Sequence, residues 1–176
     1  WELNNNGGDK LSTNIRYEYA STEDREILNE MLQTEDYQNL NGYNIRFALI
    51  YVTTEDNKTG AVLPTFKNLP YKVKYNNAKD RLLKKIDIEI QLDTEYWEDL
   101  TDTEKQAVID GALNQIEFVE KKELPAYNDD GTVKIKLRKP DMIYEGYSTI
   151  AEKYGSDSPE IKKYRRLNSE FEGILI

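Results

Sequence analysis

Residues 108–117, VIDGALNQIE, raise a question of chemistry. They stand behind a strong helix-start signal, yet they place Gly111 beside Ala112 inside the expected helix and follow with Gln115. Glycine there costs about 1 kcal/mol relative to alanine. The chain has no histidine and no cysteine. This removes the commonest general base, the commonest zinc ligand, thiolate metal sites and disulfides together. What remains for chemistry is Asp, Glu, Tyr, Lys and Ser. Asp110, Glu117 and Asp141 carry oxygen ligands suited to a hard cation such as calcium or magnesium. No D-x-D-x-D-G pattern accompanies them, so solvated or capping carboxylates are the expected reading. Asp129-Asp130-Gly131 looks like a fragment of a calcium loop, but turn chemistry explains it sufficiently. We expect no metal and no cofactor.

The elements that must position these residues belong to a chain of 176 residues, long enough for one domain that buries roughly 70% of its unfolded surface. Lys and Arg number 24 against 33 Asp and Glu, for a formal charge of -9. That balance disfavours direct binding to nucleic acid or an anionic membrane and steers basic partners toward the surface. No apolar run is long enough to span a bilayer, and the first residues do not form a signal peptide, so a cytoplasmic location is expected. Because the first residue is Trp1 rather than Met, an original start upstream of it is expected too.

Residues 1–14 are polar and rich in Asn and Gly, and read as a flexible arm. The domain is then expected over 15–176. Ile15, Tyr17 and Tyr19 alternate as in a short strand. Ser21 to Asp24 reads as a capping box opening a helix over 22–33. Ile45 to Thr53 is β-branched and aromatic, the pattern of a strand buried on both faces. A short helix is expected around Ala78 to Leu83. In Ile86 to Leu92 every second residue is apolar, which predicts a half-buried strand with a polar outer face. Thr101-Asp-Thr-Glu104 is a capping box, and Val108, Ala112, Ile116 and Val119 form a stripe on a helix reaching about Lys121. Asn128 to Gly131 turns the chain into a strand through Val133, Ile135 and Leu137 as the second arm of a hairpin. Helices are expected through Ile143 to Tyr154, ending at Gly155, and from Ser158 onward.

The 13 tyrosines divide in two. Tyr147 and Tyr154 are placed like core-edge residues of helices, whereas Tyr17, Tyr19, Tyr37, Tyr43, Tyr71 and Tyr75 lie in less regular segments and are interface candidates. Lys162, Lys163, Arg165 and Arg166 read as a solvated face of the last helix.

Residues 86–155 resemble the phage metallopeptidases, a zincin-like family of bacteriophages and prophages. Trp97, Leu100, Glu104, Lys105, Ile109, Asp110 and Leu113 match the family's helix run, and Asp130, Gly131, Leu137, Arg138, Lys139, Asp141, Tyr154 and Gly155 match its downstream segment. The departures fall on the chemistry. The histidines of the family's H-E-x-x-H fall on Gly111 and Gln115, its glutamate on Ala112, and its downstream histidine on Pro140. In zincins those histidines bind the metal and the glutamate polarises the attacking water. An intact site supplies on the order of 10 kcal/mol of metal binding, and a general base roughly 10² to 10⁴ in rate. Glycine, alanine, glutamine and proline supply neither, which excludes zinc hydrolysis at these positions.

The resemblance and the departures together imply a single α+β, zincin-like domain. A small mixed or antiparallel sheet of three to five strands would pack on an active-site-type helix, with helices at the C-terminal end. They imply a catalytically inactive phage or prophage protein in the host cytoplasm that binds another protein. Inhibition of a host defence protein is one outcome, with the acidic surface mimicking nucleic acid for a nucleic-acid-binding partner. The alternatives are a hydrolase with a non-zinc carboxylate site and a structural virion component. Gly111 has two compatible readings: a former ligand position, or a place where a neighbour packs closely.

Overall fold

The computed structural model describes residues 12–139 and 152–157 together with Arg165. Pro140, Asp141, Tyr147, the first eleven residues and most of the expected C-terminal helices lie outside the described residues. The chain divides into two compact units after Arg138.

In the first unit β1 (Thr13–Tyr19), α1 (Thr22–Leu32) and α2 (Gln38–Gly42) precede β2 (Phe47–Asp56), β3 (Val62–Leu63), β4 (Tyr71–Tyr75) and α3 (Ala78–Lys84). There follow β5 (Ile88–Asp93), α4 (Thr94–Trp97), α5 (Asp102–Leu113), β6 (Ile116–Phe118), β7 (Glu120–Lys121), β8 (Leu124–Pro125) and β9 (Ile135–Leu137). The main sheet has the order β1-β2-β5-β4, with β3 joined to the far end of β2. β2 runs parallel to β5 and antiparallel to β1, and β4 closes antiparallel on β5. This is an α+β fold with a mixed sheet, as the sequence implies. β1 begins at Thr13, two residues before the expected domain start, because Thr13 and Asn14 pair with Asp56 and Glu55.

One sheet face carries Leu49, Val73, Ile88, Ile90 and Leu92, which pack with Leu28, Trp97, Ile109, Ala112 and Leu113 in a single core. Registers align Leu49 with Ile90 and Ile90 with Val73 across three strands, so the period-2 pattern of β5 is what builds this face.

Two expectations need correction. The polar face of β5 is not solvated: Asp87, Glu89 and Asp93 are all buried. Each has partners. Arg46 forks onto Asp87 with two bonds of 2.9 Å, Lys84 and Asn76 donate to Glu89 at 3.1 Å, and Asp93 accepts from the Thr65 amide at 2.7 Å. Buried carboxylates are tolerated on such terms. Further on, α5 stops at Leu113 rather than near Lys121, since Ile116 and Phe118 pair with Leu137 and Ile135. Arg138 holds that end of the helix, its Nε donating to the Asn114 carbonyl at 2.7 Å and its backbone N–H to Gln115 at 2.8 Å. A cation at a helix C-terminus is also favoured by the dipole.

Within the second unit, residues 152–154 are helical and a 3-10 turn follows at Gly155–Asp157, with Gly155 at φ 52°. Tyr154 is exposed and lies under the Lys153 ammonium, not at a core edge. Arg165 is exposed.

Candidate functional site

The expected active-site helix is α5, and two groups of residues anchor it. Its start is a complete capping box: the Glu104 carboxylate accepts from the Thr101 amide at 2.8 Å and the Thr101 hydroxyl accepts from the Glu104 amide. Beside this start, Asp24 of α1 is buried and accepts from the Trp97 indole at 2.7 Å, from Lys105 at 3.1 Å and from the Tyr51 hydroxyl. The Lys105 ammonium also lies 5.3 Å from the Trp97 ring centre. Burial pushes the Asp24 carboxyl pKa up, but the bonds from Tyr51, Trp97 and Lys105 outweigh it and hold the pKa below the ordinary carboxylate value. The expected capping box at α1 is therefore half present. The Ser21 hydroxyl accepts from the Asp24 amide at 3.1 Å, while the Asp24 side chain turns inward and bonds three other elements.

The positions of the missing motif lie at the other end of α5. Gly111 packs under Tyr71 of β4, so that a Cβ added at Gly111 would meet the tyrosine hydroxyl at 2.8 Å. Such a contact is closer than real Cβ atoms tolerate, and this is the physical reason for a glycine in the last turn of a helix. Burial raises the Tyr71 phenol pKa, and a hydrogen bond with the Gln115 side chain opposes that rise. Gly111 lies beneath that hydroxyl in the last turn of the helix, and Gln115 follows just past the helix end. Ala112 between them is fully buried in the core. Pro140, the fourth position, lies outside the described residues.

Of the candidate cation ligands, Asp110 and Glu117 each have a partner of another kind, and Asp141 lies outside the described residues. Asp110 accepts from the Tyr37 hydroxyl through both its carboxylate and its carbonyl. Burial and that carboxylate raise the Tyr37 pKa well above the usual phenol range. Glu117 pairs with Lys136 at 3.1 Å on β6. Asp130 accepts from Thr132 and from the buried Arg81, which together hold its carboxyl far below the carboxylate range. Gly131 beside it takes φ 82°, the turn conformation expected of the Asn128 to Gly131 stretch. Among the described residues no three carboxylates cluster as a metal site would require. Beyond the end of α5 a cleft of about 560 Å³ is lined by Tyr37, Leu40, Asn114, Glu117, Phe118 and Arg138, with Asp36 and Glu120 also at its walls.

A mixed sheet backed by a capped helix, with the last turn of that helix beneath the edge strand β4, is the α+β frame of a zincin-like domain. Residues 15–171 match the family described as "Putative phage metallopeptidase", and the chain belongs to that family. No curated protein and no solved structure matches the chain. The zinc ion that zincins carry does not fit the residues found here: Gly111 and Ala112 offer no side-chain donor, and the Tyr71 hydroxyl already fills the space above Gly111.

Sequence reasoning missed Tyr51, gave Asp24 only a capping role and placed Tyr71 among the interface candidates rather than over Gly111. Asp24 reads locally as a capping acid, and nothing within its own helix signals a bond to Trp97 or Lys105. The only hint of Tyr71 in that place was Gly111 itself, through the close-packing reading.

Proposed function

We infer that this chain is a noncatalytic member of its family that works by binding another protein. One observation carries the reading: the Tyr71 hydroxyl closes over Gly111, where the family resemblance places one of the metal-binding pair. An imidazole at this position would have to displace the Tyr71 hydroxyl, which lies 2.8 Å from where its Cβ would be. The partner that best suits the surface is a basic segment of a host nucleic-acid-binding protein, such as a component of a defence system. The formal charge of -9 favours it electrostatically, and Asp36, Glu117 and Glu120 line the cleft beyond α5. A cleft of that size receives side chains of a bound segment.

Two measurements test the reading. Metal analysis of the purified protein should find zinc far below one equivalent, and a general peptidase assay should find no hydrolysis that a chelator abolishes. Stoichiometric zinc, or chelator-sensitive activity, refutes the noncatalytic reading. Capture from a bacterial lysate should retain a basic protein, and Glu117→Lys with Glu120→Lys should release it. Retention unchanged by the double reversal refutes the cleft as the binding surface.

A further inference from the structure

β1 is an edge strand of the main sheet. It pairs with β2 on one side, and among the described residues no strand pairs with its other side. All seven of its residues are exposed. Natural edges are usually short, bulged, or guarded by proline or charged side chains. This one has no proline, its register with β2 runs unbroken from Thr13 to Tyr19, and its two charges, Arg16 and Glu18, are of opposite sign.

The direction of its free hydrogen-bonding groups follows from the ends of the ladder. The Ala20 amide donates to Leu49 and the Asn57 amide to Ser12, both at 2.9 Å. Even-numbered residues of β1 therefore bond to β2, and Thr13, Ile15, Tyr17 and Tyr19 turn their N–H and C=O outward. Ile15, Tyr17 and Tyr19 also share one sheet face and are 49%, 60% and 69% exposed. Arg16 and Glu18 share the other face, 3.4 Å apart.

This strand is complementary to itself. Antiparallel to a second copy with Tyr17 opposite Tyr17, it sets Ile15 opposite Tyr19 and Arg16 opposite Glu18, each twice by symmetry. Tyr17, Ile15 and Tyr19 are then the hydrogen-bonded pairs, and Arg16 and Glu18 meet at the non-hydrogen-bonded pairs, where side chains approach most closely. A slip of the sum by one pair in either direction sets Arg16 opposite Arg16 or Glu18 opposite Glu18. We propose that two copies of this chain join through β1 in this register, about a twofold axis at Tyr17, so that their sheets become continuous. The interface is isologous and closes at two copies. It is independent of the cleft beyond α5 and of what that cleft binds.

Sedimentation or light scattering of the full chain across micromolar concentrations tests the proposal. The wild type should be a dimer that dissociates on dilution. Tyr17→Pro removes an outward N–H without removing a bond to β2, and should give a monomer with unchanged circular dichroism. Arg16→Glu and Glu18→Arg should each weaken the dimer about tenfold, since each replaces attraction by repulsion at two symmetric pairs. Mixed one to one, these two variants should associate again, because every acid then faces a base. A misfolded variant would not be rescued by mixing. A wild type that stays monomeric throughout, a dimer indifferent to all three substitutions, or a mixture no tighter than its components overturns the proposal.

Discussion

The two ends of α5 are held by opposite means. At its start, Trp97 and Lys105 converge on the buried Asp24, and Tyr51 completes the knot. At its end, Gly111 lets the helix backbone approach a tyrosine ring, and Ala112 is buried in the core. Trp97 and Lys105 are among the residues on which the resemblance rests, and here they serve as partners of Asp24, a task that belongs to the fold. Gly111, Ala112 and Gln115 are the positions at which the resemblance would place catalytic groups; here Gly111 lies under Tyr71 and Ala112 fills the core. The comparison teaches that both ends of the helix carry structural tasks that hold whether or not the frame performs chemistry.

Removing the charge at the first end should have the largest effect. Asp24→Ala leaves Lys105 partly buried without its carboxylate and takes the acceptor from a buried indole N–H. Breaking a buried pair by deleting one partner costs about 3–5 kcal/mol. Chemical denaturation should show a loss in that range, with the α1 and α5 packing the first to fail. A loss below about 1 kcal/mol would mean that Asp24 is solvated, and the contrast between the two ends would disappear.

The same end should respond to acid, and the sign is determined by the direction of the shift. The folded pKa of Asp24 lies below its ordinary value of 3.8. Its contribution to stability is therefore fully present above that value and is lost as pH falls through the folded pKa. Asp87 and Glu89 are lowered in the same direction, Asp87 chiefly by Arg46 and Glu89 by Lys84 and Asn76, each against burial. Stability measured from pH 6 downward should fall most steeply below about pH 4. Asp24→Asn should flatten part of that slope and leave the part owed to Asp87 and Glu89. An identical slope in the variant would show that Asp24 titrates alike in both states.

Much of this fold was legible because its signals are local. The capping box at Thr101 and Glu104, the alternation through Ile88, Ile90 and Leu92, and the apolar run of β2 each act within a few residues, and an element of the expected type formed at each, with β2 and β5 beginning two residues later than expected. The end of α5 was not legible. Val108, Ala112, Ile116 and Val119 satisfy a helical stripe, but Ile116 gains more from pairing with Leu137, a partner remote in sequence. The buried face of β5 failed for a similar reason. Asp87 and Glu89 look solvated until Arg46 and Lys84 are brought to them by the fold. At the candidate site, Gly111 and Gln115 were singled out by the resemblance, while the tyrosine over Gly111 came from a strand forty residues earlier in the chain, read only as an irregular segment.

The smallest predicted effect is the most discriminating, because its sign changes. Alanine is the better helix former by about 1 kcal/mol, so Gly111→Ala should stabilise α5 if only the helix mattered. The added Cβ would lie 2.8 Å from the Tyr71 hydroxyl, and overpacking of this kind costs about 1–3 kcal/mol. In the wild type the two effects leave a net loss of about 1 kcal/mol. In a Tyr71→Phe background the oxygen is gone, and the next ring atom lies at 3.5 Å, an ordinary contact. There the same substitution should stabilise by up to about 1 kcal/mol. A double-mutant cycle read by thermal or urea denaturation measures the difference directly. If Gly111→Ala has the same sign in both backgrounds, Tyr71 is not what requires the glycine, and the end of α5 remains open to a larger side chain such as a metal-binding histidine.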